Sequence, residues 1–198
     1  MQTYKLILII PVLFILIACD EGLDSSSNQS TTFTPDYSDS SAKTLNVSHY
    51  RQQTEVWCWA AVIEMVSGYY GRRALQCQTL QFWYGIDCCN FPGNCVTAGS
   101  TNQIVNSFNA LGIGNYYYPT PLTWSEFVRE IDSGRPIIIF YQGSFSGHVV
   151  VGFGYNSEKQ TMFIHDPYFG TFEVPYGQSF TYSGNMFWNA TLAGLAPY

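Results

Sequence analysis

The stretch QQTEVWCWAAVIEM, Gln52 to Met65, sets one Cys between two Trp at the point where a helical pattern begins. From Val56 to Tyr70 apolar residues recur at three- and four-residue intervals, through Trp59, Val62, Ile63 and Val66, and Gly71 is placed to end the helix. Cys58 then falls in the first turn. A free Cys among large apolar neighbours is ordinary core material. A thiol in a first helical turn, however, lies at the positive end of the macrodipole, which favours thiolate over thiol and makes the sulfur a nucleophile. The rest of the chain decides between the two.

Downstream, a second short helix is expected over Gln76 to Tyr84, ahead of the turn-rich run GIDCCNFPGNCVTAG. Ser100 with Gln103 forms a capping box for a helix through Leu111, closed by Gly112, and Thr123 with Glu126 opens another that stops at Ser133-Gly134. Then the period shortens. PIIIFYQ, GHVVVGFGYN, TMFIHDP and GTFEVPY read as four strands separated by QGSFSG, YNSEKQ and PYFG, and FTYSGNMFWNATLAG adds one or two more. Helices first and an antiparallel sheet after them make an α+β arrangement.

The first residues, MQTYKLILIIPVLFILIAC, carry one Lys and an apolar run from Leu6 to Ala18. Thirteen residues are too few for the ~20 of a membrane-spanning helix and suit the core of an export signal. Leu16-Ile17-Ala18-Cys19 resembles the lipobox of bacterial lipoproteins, which implies that residues 1–18 are removed and Cys19 is lipidated. Residues 19–44 are rich in Ser, Thr, Asp and Asn, with too little apolar surface to offset the entropy of ordering, and are expected to be a flexible tether. Residues 45–198 are left as one folded domain, exported and held at a membrane on the periplasmic or cell-surface side. Five of the 14 acidic residues lie in the tether, so the chain beyond Ala42 carries nine carboxylates against seven bases. With no basic patch, nucleic acid is excluded as a partner.

Six Cys occur, at 19, 58, 77, 88, 89 and 95. With Cys19 lipidated, five remain, and an odd number in an oxidising compartment leaves one thiol unpaired. Cys77, Cys88, Cys89 and Cys95 cluster and Cys58 stands apart, so two disulfides and one free thiol at Cys58 are expected. A Cys88–Cys89 ring would be strained, leaving two pairings open: Cys77 with Cys88 and Cys89 with Cys95, or Cys77 with Cys89 and Cys88 with Cys95. The spacing contains no C-x2-C pair, which argues against a zinc site.

A Cys nucleophile needs a base and a group that orients the base. Of His49, His148 and His165, His148 opens the most apolar strand just after a Gly-rich turn, where its imidazole can face a cleft. Asp166 closes the next strand, and the end of one antiparallel strand lies level with the start of its neighbour. An oxyanion needs donors: the Cys58 N–H is one, and the Gln52 amide, with Gln53 as competitor, is the other.

Gln52, then WCWAA, then GHVVVGFGY, then HDP, in that order, resemble the papain-like cysteine peptidases, specifically the compact bacterial group related to bacteriocin-leader-processing peptidases and plant-pathogen effector proteases. The resemblance covers Gln52 to Pro167. It implies a helical half carrying Cys58 as nucleophile, a sheet half carrying His148 as general base and acid with Asp166 orienting it, the active site between them, and Gln52 as oxyanion donor. Larger papains often carry Asn where Asp166 stands. A peptide or protein substrate, no cofactor, no metal and a monomer are the matching expectations. Two other classes share parts of the pattern. A peptidoglycan amidase or stem-peptide endopeptidase would usually show Asp-Cys-Ser-Gly at its nucleophile, which is missing here. A non-catalytic binding module on the same scaffold would keep every motif with an unreactive Cys58.

Overall fold

The computed structural model describes residues 41–144, 146–177 and 186–198. The export segment, Cys19 and the tether up to residue 40 lie outside these residues. Seven strands form one antiparallel sheet: β1 (Ala42–Thr44), β2 (Ile113–Tyr118), β3 (Ile137–Gln142), β4 (Gly147–Asn156), β5 (Thr161–Asp166), β6 (Gly170–Pro175) and β7 (Phe187–Pro197). Their order is β2-β7-β3-β4-β5-β6, with β1 paired to β4. Four α-helices, α1 (Cys58–Tyr69), α2 (Gln76–Tyr84), α3 (Thr101–Ala110) and α4 (Trp124–Asp132), and a 3-10 turn at Pro92–Cys95 complete the described elements. The α+β expectation is borne out.

The strands follow from composition. Ile137, Ile138, Ile139 and Val149, Val150, Val151 are β-branched residues buried on both faces, so β3 and β4 read as continuous apolar runs in the middle of the sheet. Alternation then sorts the core. Ile138, Phe140, Val149, Val151 and Phe153 pack with Trp57, Trp59, Ile63 and Phe108 on the face covered by α1 and α3. Ile137, Ile139, Val150, Met162 and Ile164 pack with Phe127 and Ile131 of α4 on the other. Each such fully buried side chain contributes roughly 1.5–3 kcal/mol from removal of apolar surface. α4 therefore packs on the face of the sheet opposite to α1 and α3.

Both expected capping boxes are present, with Ser100 Oγ accepting from Gln103 N and Thr123 Oγ1 from Glu126 N. Two strands were not legible. IGNYYY, β2, lacks alternation because it is an edge strand whose Tyr116, Tyr117 and Tyr118 are all exposed. Ala42–Thr44, placed at the end of the tether by composition, belongs to the fold. β3 pairs with β4 only as far as Gly152, so the last part of β4 has an open edge, and β1 occupies it opposite Gly154–Asn156. Contact there is so close that a Cβ on Gly154 would lie 2.5 Å from the Lys43 carbonyl oxygen.

The same sheet carries the pre-helical segment to its place. Leu45 N–H donates to the Phe153 carbonyl (2.8 Å), and the His165 ring, stacked on Phe153, reaches the Val47 carbonyl through Nε2 (2.8 Å). His49 Nε2 donates to the Asp166 carbonyl (2.8 Å) and Gln52 N–H to the Pro167 carbonyl (2.8 Å). Residues 45–52 are thus laced along β4 and the end of β5 before the chain turns into α1.

Candidate active site

Cys58 is the first residue of α1 and is partly exposed. No side chain caps this helix; Trp57 stands at the cap position with its N–H on the Thr54 carbonyl (3.3 Å). The Cys58 N–H, as the first of the helix, has no intrahelical acceptor and is free to donate outward. The flanking tryptophans, both buried, have a definite task. Trp57 Nε1 donates to the Cys95 carbonyl (2.9 Å) and Trp59 Nε1 to the Thr97 carbonyl (3.2 Å). Two indoles on either side of the thiol grip alternate carbonyls of one extended segment and draw it across the start of the helix. Gly99, farther along that segment, lies against the Trp59 ring so closely that a Cβ would sit 2.2 Å from it.

His148 and Asp166 meet at the rim of the sheet. Val151 pairs with His165, which puts Asp166 diagonally across from His148 on the same face. His148 Nε2 lies 3.0 Å from Asp166 Oδ2, while Asp166 Oδ1 accepts the N–H groups of Tyr168 (2.7 Å) and Phe169 (3.1 Å). A fully buried carboxylate is costly unless its lone pairs are filled, and here three donors fill them. With Nε2 committed to Asp166, the other ring nitrogen, Nδ1, is left for the Cys58 thiol, which hydrogen-bonds to this imidazole. Burial disfavours the imidazolium, but the hydrogen bonds and charges of Asp166 and Cys58 outweigh it and hold His148 up at about 9. His165 shows the opposite case: burial, aided by the neighbouring His49, pulls it down to about 4 despite its bond to Val47. Its Nδ1 accepts from Thr171 Oγ1 (2.8 Å), so it is a neutral structural ring.

Gln52 is buried and Gln53 is exposed. The Gln52 side chain folds into the turn ahead of Cys58, its Nε2 donating to the Thr54 carbonyl (2.7 Å). That same carbonyl takes the Trp57 N–H, so the amide and the helix entry share one acceptor. One of the two Nε2 hydrogens is spent on Thr54, and the other remains for a ligand. Gln52 Oε1 is buried and has no hydrogen-bond partner among the described residues.

Cys77 pairs with Cys89 and Cys88 with Cys95, with Cα separations of 4.8 and 5.7 Å, and Cys58 is free. Of the two pairings the sequence left open, this is the one found, and it uses all four sulfurs that zinc would have needed. Among the described residues no group of three His, Cys, Asp or Glu could hold a metal ion. The Cys88–Cys95 bridge anchors the residue whose carbonyl Trp57 grips.

Between the indole-held segment and the sheet rim runs a cleft of about 440 Å³ that reaches Cys58 and His148, with Gly99, Tyr117, Phe140 and Asn189 on its walls. Residues 44–191 match the Peptidase_C39 like family. The chain belongs to that family. Two solved structures share its fold. One is a double glycine motif protease from an AMS/PCAT transporter in complex with the leader peptide, 19% identical, with a TM-score of 0.52 over 79% of this chain and 95% of that one. The other is the peptidase domain of Streptococcus ComA, a bi-functional ABC transporter involved in quorum sensing, 16% identical, with a TM-score of 0.55 over 77% of this chain and 99% of that one. No curated protein matches the chain. At these identities the likeness to the solved structures establishes the fold. In this member of the Peptidase_C39 like family, the sequence singled out Cys58, His148 and Asp166, and the structure brings them together. The gripping role of Trp57 and Trp59 left no signal in the sequence, because their partners are backbone groups 38 residues away.

Proposed function

We propose that the chain is a cysteine peptidase in which Cys58 is the nucleophile, His148 the general base and acid, Asp166 the orienting group and Gln52 an oxyanion donor. The observation that carries this reading is the continuous contact from Cys58 through His148, both lining an open cleft, to a buried, fully bonded Asp166 behind them. The thiolate attacks the scissile carbonyl carbon, forming a C–S bond as the carbonyl pair moves onto oxygen. The Cys58 N–H and the Gln52 Nε2 hydrogen not taken by Thr54 bond to that oxyanion. Collapse breaks the C–N bond, and the His148 imidazolium gives its proton to the leaving amine. Water, deprotonated by His148, then attacks the thioester and releases the acid and the thiol.

Membership of the Peptidase_C39 like family supports this chemistry. Because a solved structure of the same fold is described as a double glycine motif protease, peptides containing Gly-Gly belong in the first screen. Cleavage of a quenched fluorescent peptide library by the purified domain, abolished by Cys58→Ala with the fold retained, is the expected result. No cleavage by the unmodified chain, or equal cleavage by Cys58→Ala, would contradict it, and an inert Cys58 thiol would favour a binding module. The tether is part of the same proposal, resting on Leu16-Ile17-Ala18-Cys19 and the polar run after it. Expression with Cys19→Ser should move the protein from the membrane to the soluble fraction; retention in the membrane would refute a lipid anchor at that position.

A further inference from the structure

The backbone on either side of Gln52 is held by a single side chain. Gln76, the first residue of α2, is 1% exposed and aims its amide at the loop: Nε2 donates to the Arg51 carbonyl (2.9 Å) and Oε1 accepts the Gln53 N–H (2.9 Å). The amide therefore pairs with the two peptide units that bracket Gln52, as a neighbouring strand would. The Gln52 N–H itself goes to the Pro167 carbonyl, next to Asp166. Three consecutive residues are thus fixed from two sides.

Gln76 is in turn held. Its Nε2 also donates to Glu64 Oε2 (3.0 Å), and Glu64 Oε1 accepts Arg73 Nε (3.0 Å) and Nη2 (2.7 Å). Glu64 lies on α1 six residues after Cys58, is 3% exposed, and has apolar neighbours on both sides in Ile63 and Met65. A buried carboxylate costs desolvation that a hydrocarbon at that position would not. The chain keeps it where it can lock the orientation of the amide that grips the Gln52 loop.

We infer that Gln76, set by Glu64 and Arg73, is a positioning residue that holds Gln52 where its amide meets the developing oxyanion. This rests on the peptidase reading above. Because an oxyanion exists only after attack, the loss of Gln76 acts on the transition state and leaves ground-state binding and the Cys58–His148 pair untouched.

The test uses the full domain and the peptide that the unmodified enzyme cleaves fastest from the library. Gln76→Met, which keeps volume and removes both hydrogen-bonding functions, should lower kcat about 10- to 100-fold while KM changes by less than about twofold. Alkylation of Cys58 by iodoacetamide forms no oxyanion, so its rate should stay within about twofold of the unmodified enzyme. Gln52→Ala together with Gln76→Met should be no slower than Gln52→Ala alone, since one residue acts through the other. An unchanged kcat, a parallel fall in alkylation and kcat, or multiplicative losses in the double variant would overturn the inference. If Gln76→Met does not fold, Arg73→Met, at a side chain that is half exposed, frees Glu64 Oε1 and should lower kcat several-fold with the same unchanged alkylation; an unchanged kcat there also overturns it. Absence of any cleavage by the unmodified enzyme refutes the peptidase reading and this inference with it, whereas an active enzyme indifferent to Gln76→Met refutes the inference alone.

Discussion

The two walls of the cleft are made rigid by different means. The wall that bears His148 and Asp166 is the rim of a sheet: its residues sit on β4 and β5, whose ladder fixes them, and the turn after Asp166 folds its own N–H groups back onto the carboxylate. The opposite wall, at Ala98 and Gly99, ends a segment from Cys88 that has one 3-10 turn and little else by way of regular backbone pairing. It is held by two disulfides and by the indole N–H groups of Trp57 and Trp59. On the proposed peptidase reading, the group that must hold a proton at a defined nitrogen is thus mounted on hydrogen-bonded backbone, while the surface that a substrate would enter is tied by a few cross-links. The first wall should fail all at once when its carboxylate is altered, and the second by degrees.

The sharpest break of the first wall is Asp166→Asn. If the Asn oxygen stays on the Tyr168 and Phe169 N–H groups, its NH2 faces His148 Nε2, which must then accept, and the ring proton moves to the nitrogen facing the sulfur. If the amide flips, two backbone donors lose their acceptor. Either way kcat should fall by about 10²- to 10⁴-fold with the domain still folded; equal activity would show that Asp166 does not set the tautomer.

On the second wall, Gly99→Ala drives a methyl into the Trp59 ring, and the indole must shift. Activity should fall about tenfold, with Cys58 still present and free. A wild-type rate would mean that the wall moves aside at no cost to the site.

Milder still is reduction. Each bridge closes a short loop and stabilises by only ~2–3 kcal/mol in the chain-entropy model. Titration with a dithiol should therefore raise KM several-fold before Tm collapses. A rise in KM that coincides with the fall in Tm would make the disulfides part of the global fold rather than of this wall.

The smallest effect concerns pH and comes from the two buried imidazoles of the sheet. His148, raised from 6.5 to about 9, contributes stability that is fully present below 6.5 and is lost as pH rises toward 9. His165, lowered from 6.5 to about 4, works in the other direction: the unfolded chain takes its proton first, so stability falls as pH drops from 6.5 toward 4. Tm should peak near pH 6.5, with His148→Gln flattening the alkaline limb and His165→Gln the acid limb. A Tm that keeps rising up to pH 9 would contradict the His148 assignment, and one that keeps rising down to pH 4 would contradict that of His165.

What was legible in the sequence follows the same division. The strands that carry His148 and Asp166 are long and apolar, and their ends lie level whenever one antiparallel strand follows another, so the pair could be read directly. Capping boxes at Ser100 and Thr123 marked two helices almost to the residue. β1 was missed because three residues have no period, and β2 because an edge strand with three exposed Tyr lacks the alternation that marks a half-buried one. The pairing of the four clustered Cys depended on the path of a loop without regular structure. The supports of Gln52, namely Thr54, Gln76 and Pro167, are contacts to carbonyl and N–H groups, which every residue possesses and no sequence pattern reveals.

The most direct measurement is the rate of Cys58 alkylation by iodoacetamide as a function of pH, in the unmodified domain and in His148→Ala. With His148 held as imidazolium beside the sulfur, labelling at pH 5.5 should exceed that of the urea-unfolded chain by at least about tenfold, and His148→Ala should abolish the difference. A folded domain whose Cys58 labels no faster than the unfolded chain at that pH, or whose rate ignores His148→Ala, would contradict the pairing on which the peptidase reading stands.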